Sequence, residues 1–104
     1  MISIDENNIA KLEAALVIEE KKRCINFLKD QEQVAVILDC KNTQIRDLDL
    51  ADLNQTITAK EGVLVLLDAE SKLELDRDIW NIVPTLQDAF DFISFERMQR
   101  DLGF

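Results

Sequence analysis

Two unbroken apolar runs dominate the hydrophobic pattern of the chain, at residues 34–38 and 63–67. Each places five apolar side chains in succession, and a short run of this kind indicates a β-strand that is covered on both faces. The spacing of apolar residues between the two runs predicts a helix, which is typical of a crossover between parallel strands. We therefore expect both runs to lie side by side in the interior of one sheet, shielded by helices.

The N-terminal part of the chain allows two interpretations. Apolar residues that alternate with polar ones on either side of a turn-like segment predict a hairpin of two strands, at residues 2–4 and 9–14. A helix with a charged solvent side then follows at residues 16–31. The alternative is one long helix over residues 6–31, because Ala, Leu, Glu and Lys are strong helix formers.

Two further helices are marked by residues suited to their ends. One follows Asp47 or Asp49, either of which can cap its start. Gly62 suits the left-handed position after the last turn of that helix. The other begins at Thr85, whose hydroxyl can cap it, and Asp88 three residues later completes a pattern like a capping box.

A last short strand is expected from Ile79, Trp80, Ile82 and Val83, with the ring of Trp80 packed against the core. Together the elements predict an α/β fold, with a mixed sheet of about four to five strands and roughly three helices. With 104 residues, the chain is long enough to form one domain with its own core, covering residues 1–104.

The charge of the chain limits the kinds of partner. It has 21 acidic and 12 basic residues, and therefore a formal net charge of −9. An acidic surface repels phosphate backbones and anionic lipid, so we expect no binding to nucleic acid or membranes. The N-terminal residues lack the regions of a secretion signal and no apolar run approaches membrane-spanning length, so we expect a cytoplasmic protein.

Residues that usually perform catalysis are scarce. The chain has no His, which is the commonest general base at neutral pH and the commonest metal ligand, and its two Gly cannot form a phosphate-binding loop. Cys24 and Cys40 match no metal-ligand spacing and lie among apolar residues, which favours small buried side chains. We expect no enzyme activity, no cofactor and no metal site.

Four aspartates are the remaining candidates for chemistry: Asp39, Asp47, Asp49 and Asp68. If they gathered at the ends of strands, their carboxylates could hold Mg²⁺ or accept a phosphoryl group. A receiver-type phospho-switch also needs an acidic pair after the first strand and a lysine after a late strand, and neither is in place. Helix capping and solubility are therefore the roles we favour for these carboxylates.

The predicted order of hairpin, helix, strand, helix, strand, short strand and helix resembles the STAS domain, the fold of bacterial anti-sigma factor antagonists. Residues 36–40 read Val-Ile-Leu-Asp-Cys, and residues 47–50 read Asp-Leu-Asp-Leu. They are similar to the family's apolar strand ending in Leu-Asp-Leu and to its Asp-Ser-Ser-Gly-Leu switch loop. Residues 82–89 and 95–104 are similar to the C-terminal part of short STAS-type proteins of Bacteroidetes. The helix usual between the family's last two strands is replaced here by a shorter stretch at 70–78.

The chain departs from the family at the phosphorylated position of the switch. In active antagonists, the anti-sigma kinase phosphorylates the second serine, and the pair then comes apart. Here the two serine positions are Leu48 and Asp49, and the glycine that follows is Leu50, so the switch offers no hydroxyl. Asp49 could imitate part of a phosphoserine with one fixed charge. We favour the simpler role of a helix cap.

Two hypotheses for function follow. In the first, the chain is a non-enzymatic STAS-like regulatory or scaffolding domain with a protein partner, which the resemblance suggests to be an anti-sigma or kinase-like protein. The residues expected to form its partner-contact loop are Thr43, Gln44, Arg46, Asp47, Asp49 and Asp52. In the second, the chain is a structural homo-oligomer or an accessory subunit that associates through its C-terminal helix. The apolar residues expected on that surface are Phe92, Phe95, Met98, Leu102 and Phe104.

Overall fold

The computed structural model describes residues 2–102, which form four strands and four helices around one sheet. The strands are β1 (Ile9–Glu13), β2 (Ala35–Asp39), β3 (Val63–Leu67) and β4 (Ile82–Val83). The helices are α1 (Ala14–Glu19), α2 (Lys21–Leu28), α3 (Asp47–Ala59) and α4 (Leu86–Asp101). None of these helices is long and apolar enough to cross a membrane.

The four strands form a sheet in the order β1-β2-β3-β4, and every neighbouring pair is parallel. Ala35 of β2 lies between Ile9 of β1 and Val63 of β3, so β2 and β3 are the interior strands. The α/β class and the side-by-side placement of the two apolar runs are therefore confirmed. The core residues of β2 are buried from its first residue to its fourth, as the unbroken apolar run predicts.

The predicted mixed sheet is wrong for these four strands, because none of their pairs is antiparallel. The hairpin expected at the N-terminus is reduced to a single antiparallel bridge between Ile4 and Ala10. Asp5 forms the turn, because its carboxylate accepts hydrogen bonds from the backbone N–H groups of Asn7 and Ile9. The turn therefore begins one residue after Ile4.

The helix expected at residues 16–31 is divided into α1 and α2. Glu20 separates them, with φ −132° and ψ 50°, values outside the helical region. The alternative of one long helix over residues 6–31 is wrong, because residues 9–13 pair with β2 as a strand. For residues 9–13, pairing with an interior strand therefore outweighs the local propensity to form a helix.

The side chains of the strands alternate between two cores. Helices α1, α2 and α3 share the first core with sheet residues that include Leu12, Val36, Leu38 and Leu66. Helix α4 covers the opposite face of the sheet, where Ala89 and Ile93 pack against the strands; the strand residues in this second core are Ile9, Ala35, Ile37, Val63 and Val65. α3 and α4 therefore lie on opposite faces of the sheet.

The last strand is shorter than the sequence predicts. Only Ile82 and Val83 pair with β3, whereas Ile79 is exposed and Trp80 is half-buried against the first core. The backbone N–H groups of Ile79 and Trp80 both donate to the carbonyl of Asp76. They form a turn, and their donors are thus not free for a strand ladder.

The end of α3 differs from the prediction at Gly62. The left-handed residue is Glu61, with φ 60°, and not the glycine. Gly62 is needed for a different reason, since a Cβ at this position would lie 2.4 Å from the carbonyl oxygen of Val34 and 2.8 Å from a methyl carbon of Ile57. Its lack of a side chain lets α3 end directly against the start of β2.

Both ends of α4 are fixed by side chains. The hydroxyl of Thr85 accepts a hydrogen bond from the backbone N–H of Asp88 at 3.1 Å, which confirms Thr85 as the cap. In the last turns, Arg97 donates to the carbonyls of Asn7 and Asn8 at 2.7 and 3.0 Å. Arg100 donates to the carbonyls of Glu61 and Gly62. The two arginines thus hold the last turns of α4 against the end of the sheet where β1 and β3 begin.

Candidate functional site

A cleft of about 600 Å³ opens at the opposite end of the strands, where β2 and β3 end. The loop after β2 contributes Asp39 and Lys41 to its lining, and the loop after β3 contributes Asp68, Glu70 and Lys72. In parallel sheets, the carboxyl ends of the strands are a common place for ligand sites. The chemistry of the cleft therefore decides whether it is an active site.

The thiol beside the cleft is not an activated nucleophile. Burial, together with the smaller effect of the nearby carboxylates of Asp68 and Asp39, raises the pKa of Cys40 to about 12. Burial also raises the pKa of Cys24. Since the thiolate is the reactive form, both cysteines stay protonated and unreactive at neutral pH. Their prediction as small buried side chains is confirmed.

Asp68, Glu70 and Lys72 at the cleft have partners within the protein. Asp68 is buried, and its carboxylate accepts hydrogen bonds from the backbone N–H groups of Lys72 and Leu73 at 3.1 and 2.9 Å. The side chain of Lys72 pairs with Glu70 at 2.6 Å, and this hydrogen bond lowers the pKa of Glu70 and raises that of Lys72. Asp68 therefore shapes the loop after β3 and does not face a ligand.

The four aspartates considered for Mg²⁺ or phosphoryl transfer have separate partners. Asp39 accepts from the backbone N–H of Lys41 at 3.0 Å, and Asp68 holds its own loop. Asp47 and Asp49 lie on the first turn of α3. Within residues 2–102, no three acidic or cysteine side chains come close enough together to hold a metal ion. The four carboxylates do not form one site.

The position of the phosphorylated serine in the resembled switch lies at the start of α3. The residue that precedes this helix is Arg46, whereas the sequence favoured Asp47 or Asp49 for the capping position. Asp49 instead occupies the third helical position and reaches back, so that its carboxylate accepts from the backbone N–H of Arg46 at 3.1 Å. The side chain of Asp49 is only 20% exposed. Its carboxylate therefore stabilises the helix start, as one half of a capping box does.

Leu48, at the first serine position, is the most exposed large apolar residue in the described part of the chain, with 73% of its surface accessible. Its backbone is nevertheless held in place. The ammonium group of Lys21, on α2, donates to the carbonyl of Leu48 at 3.1 Å and pairs with the carboxylate of Asp52 at 3.2 Å. An apolar side chain is thus presented to solvent from an anchored first turn.

A second contact holds the same turn from the other side. The indole N–H of Trp80 donates to the carboxylate of Asp47 at 2.5 Å. Trp80 belongs to the stretch between β3 and β4, and its chain neighbour Ile79 is exposed. We call the exposed residues Arg46, Leu48 and Asp52 the switch surface.

The other two residues of the predicted partner-contact loop, Thr43 and Gln44, line the cleft. Thr43 is half-buried and its hydroxyl donates to the carbonyl of Lys41 at 3.2 Å. The side-chain amide of Gln44 donates to the carbonyl of Lys72 at 2.6 Å. All six predicted contact residues therefore lie at one end of the molecule, but most of their polar groups already have partners within the protein.

The contacts that hold the switch surface in place were not predicted from the sequence. Lys21 and Trp80 lie 27 and 33 residues away from their partners Leu48 and Asp47. No local pattern reveals contacts over such distances along the chain. The one available signal is that Trp80 is the only Trp and needs a partner for its N–H when it is packed.

The apolar surface predicted on the C-terminal helix is present in part. Phe95, Met98 and Leu102 are 55%, 58% and 64% exposed. Phe92 packs against the second core and is only partly accessible, and Phe104 lies outside the described residues. The exposed surface of α4 is therefore built around three of the five predicted residues.

Comparison with known proteins identified no relative of this chain: no family model matches it, and no match was found among curated proteins or solved structures. The interpretation of the switch surface consequently depends on its own geometry.

Proposed function

We propose that this chain is a non-enzymatic, STAS-like regulatory domain that binds a protein partner through the switch surface. The order of its elements supports the proposal, because two interior parallel strands are joined by a helix and followed by a short strand and a C-terminal helix. The antiparallel bridge between Ile4 and Ala10 lies where the hairpin of a STAS domain is expected. The stretch between β3 and β4 contains no helix, in agreement with the shortened form that the chain resembles.

The single observation that carries the proposed binding role is the exposed side chain of Leu48 on an anchored backbone. Exposed leucines are common on protein surfaces and do not by themselves indicate a site. Leu48 is distinguished by its anchored backbone, which is bonded to Lys21, and by the neighbouring contact of Asp47 with Trp80. An apolar anchor that needs no ordering upon binding loses less entropy in a complex, and charged residues around it form a polar rim.

The proposed contact is constitutive and is not switched by phosphorylation at this position. Neither Leu48 nor Asp49 has a hydroxyl group. The carboxylate of Asp49 is directed at the backbone of Arg46 and is mostly covered. Imitation of a phosphoserine would instead require an accessible charge with several free acceptor oxygens. The capping role accounts for Asp49 without a phosphate-like function.

Site-specific photo-crosslinking in the native cell tests this proposal. A photoreactive residue replaces Leu48 in one version of the protein and Lys29, exposed at the end of α2, in a matched control. We expect a discrete crosslinked partner from position 48 and none from position 29. With the partner purified, Leu48→Arg should weaken binding about tenfold or more, whereas Lys29→Ala should not. Equal crosslinking at both positions, or unchanged binding by Leu48→Arg, would contradict the proposal.

A further inference from the structure

We propose that the outer face of α4 is a second docking surface and that its partner is a basic amphipathic helix. Phe95, Met98 and Leu102 follow one another at spacings of three and four residues, which places them along one stripe of the helix. Ala89 and Ile93 bury the opposite side of the same helix against the sheet. The apolar stripe therefore has no counterpart within residues 2–102.

The charges of α4 are distributed unequally between its two sides. Its only basic residues, Arg97 and Arg100, are both directed at backbone carbonyls where β1 and β3 begin. The acidic residues Asp88, Asp91 and Asp101 are exposed. The outer face thus combines an apolar stripe with carboxylates, and the arginines that could balance them are engaged elsewhere.

This combination selects a partner of opposite charge. Asp91 lies one turn before Phe95 and Asp88 lies three residues before Asp91, so the carboxylates continue the line of the apolar stripe towards the start of the helix. A partner helix with an apolar face could cover the stripe, while its Lys or Arg residues meet these carboxylates. Complementary charge of this kind increases the rate of association and fixes the orientation of the partner.

A second copy of the chain fits the same face poorly. Each copy carries a net charge of −9, and the outer face of α4 would bring carboxylates together without cations. The three exposed side chains offer roughly 300 Å² of apolar surface, well below the 800 Å² or so that each partner contributes to a stable interface. The additional energy must therefore come from charge pairs, which a basic partner supplies and a second copy does not.

The surface on α4 is independent of the switch surface. The start of α3 contributes to the first core and α4 covers the opposite face of the sheet, so substitutions on one helix leave the other in place. Loss of binding at α4 would not affect the proposed role of Leu48. Equally, loss of the switch partner would leave the inference for α4 intact.

Titration of three helical peptides into the isotopically labelled full chain tests the inference by NMR. The first peptide has Leu on one face and Lys elsewhere; the second keeps the Leu but replaces Lys with Glu; the third keeps the Lys but replaces Leu with Gln. We expect the first peptide to bind about tenfold or more tightly than either of the others, with the largest shifts on α4. The double substitution Phe95→Ser and Met98→Ser should abolish this preference.

Ile18→Ser is the matched control, because Ile18 is also exposed but lies on α1, which packs on the opposite face of the sheet from α4. It should leave binding of the first peptide unchanged. Equal binding of the Lys–Leu and Lys–Gln peptides would overturn the inference, because binding would then depend on net charge alone. Chemical-shift changes centred away from α4 would also overturn it. So would sedimentation of the full chain as a dimer, if the double substitution converted that dimer to monomers.

Discussion

The indole N–H of Trp80 donates a hydrogen bond to the carboxylate of Asp47 over a distance of 2.5 Å, across 33 residues of the chain. This contact joins the stretch before β4 to the first turn of α3. The crossover from β3 to β4 contains no helix, so it cannot pack against the sheet by a continuous apolar face. The bond to Asp47, together with the packing of Leu73 and Leu75 in the first core, fastens this crossover to α3.

Substitution of Trp80→Phe should lower the free energy of unfolding by about 1 to 2 kcal/mol, because a hydrogen bond to a charged group and part of an aromatic surface are lost. Urea unfolding followed by far-UV circular dichroism measures the change. A double-mutant cycle with Asp47→Asn isolates the contact itself. Strict additivity of the two substitutions would show that the hydrogen bond contributes no stability.

Gly62→Ala should be strongly destabilising, by about 2 to 3 kcal/mol, since the new Cβ would lie against the carbonyl oxygen of Val34. The neighbouring substitution Glu61→Gly is the matched comparison. Glu61 adopts φ 60°, which costs a residue with a side chain about 1 kcal/mol, so glycine there should be neutral or stabilising. Thermal unfolding of both variants checks the pair. If the two substitutions changed the stability in the same direction and by the same amount, the assignment of the steric role to Gly62 would be wrong.

Asp49→Ala should lower the free energy of unfolding by about 0.5 to 2 kcal/mol, because the backbone N–H of Arg46 loses its acceptor. Asp49→Glu should retain most of the stability, since Glu is preferred at this position of a capping box. Denaturant unfolding measures both variants. In the native host, Asp49→Ser should neither acquire phosphate nor alter partner capture, as judged by mass spectrometry. Phosphorylation of that serine with release of the partner would instead support the hypothesis that Asp49 imitates a phosphoserine.

The stability of the protein should fall in alkaline solution through Cys40. Burial raises the pKa of the folded thiol to about 12, above the value of about 8.5 for an unfolded cysteine. The protonated thiol therefore contributes its full stability below about pH 8.5, and this contribution is lost as the pH rises towards 12. The free energy of unfolding of the wild type should decrease more steeply above pH 9 or so than that of Cys40→Ala. If the free energy of unfolding decreased equally steeply with pH in both proteins, the loss of stability would not come from Cys40.

The interior of the fold could be predicted from the sequence because its signals are local. Two short, uninterrupted apolar runs rich in Val, Ile and Leu are typical of strands covered on both sides, and β2 and β3 form where these runs occur. The start of α4 was equally clear, since Thr85 and Asp88 act within three residues of each other. The exposed residues Phe95 and Met98 were also identified, because the second core needs only one side of α4.

The remaining features could not be predicted because residue type does not reveal which hydrogen bonds and tertiary contacts the chain forms. The hairpin before β1 is reduced to one bridge, and Ile79 is excluded from β4 by a turn at Asp76. The orientation of Asp49 could not be inferred from its position, since Asp47 is an equally good cap by residue type. The positions of Lys21 and Trp80 beside the switch surface result from how the helices pack on the sheet.

The contact of Arg97 with the carbonyls of Asn7 and Asn8 spans about ninety residues of the chain. During synthesis on a ribosome, which proceeds from the N-terminus, β1 and β2 are complete long before Arg97 emerges. The side of the sheet that α4 covers can therefore close only after the C-terminal helix has emerged and docked. Chains that end before α4 would leave Ile37 and Val65 exposed to solvent, and they are the species for which molecular chaperones would compete.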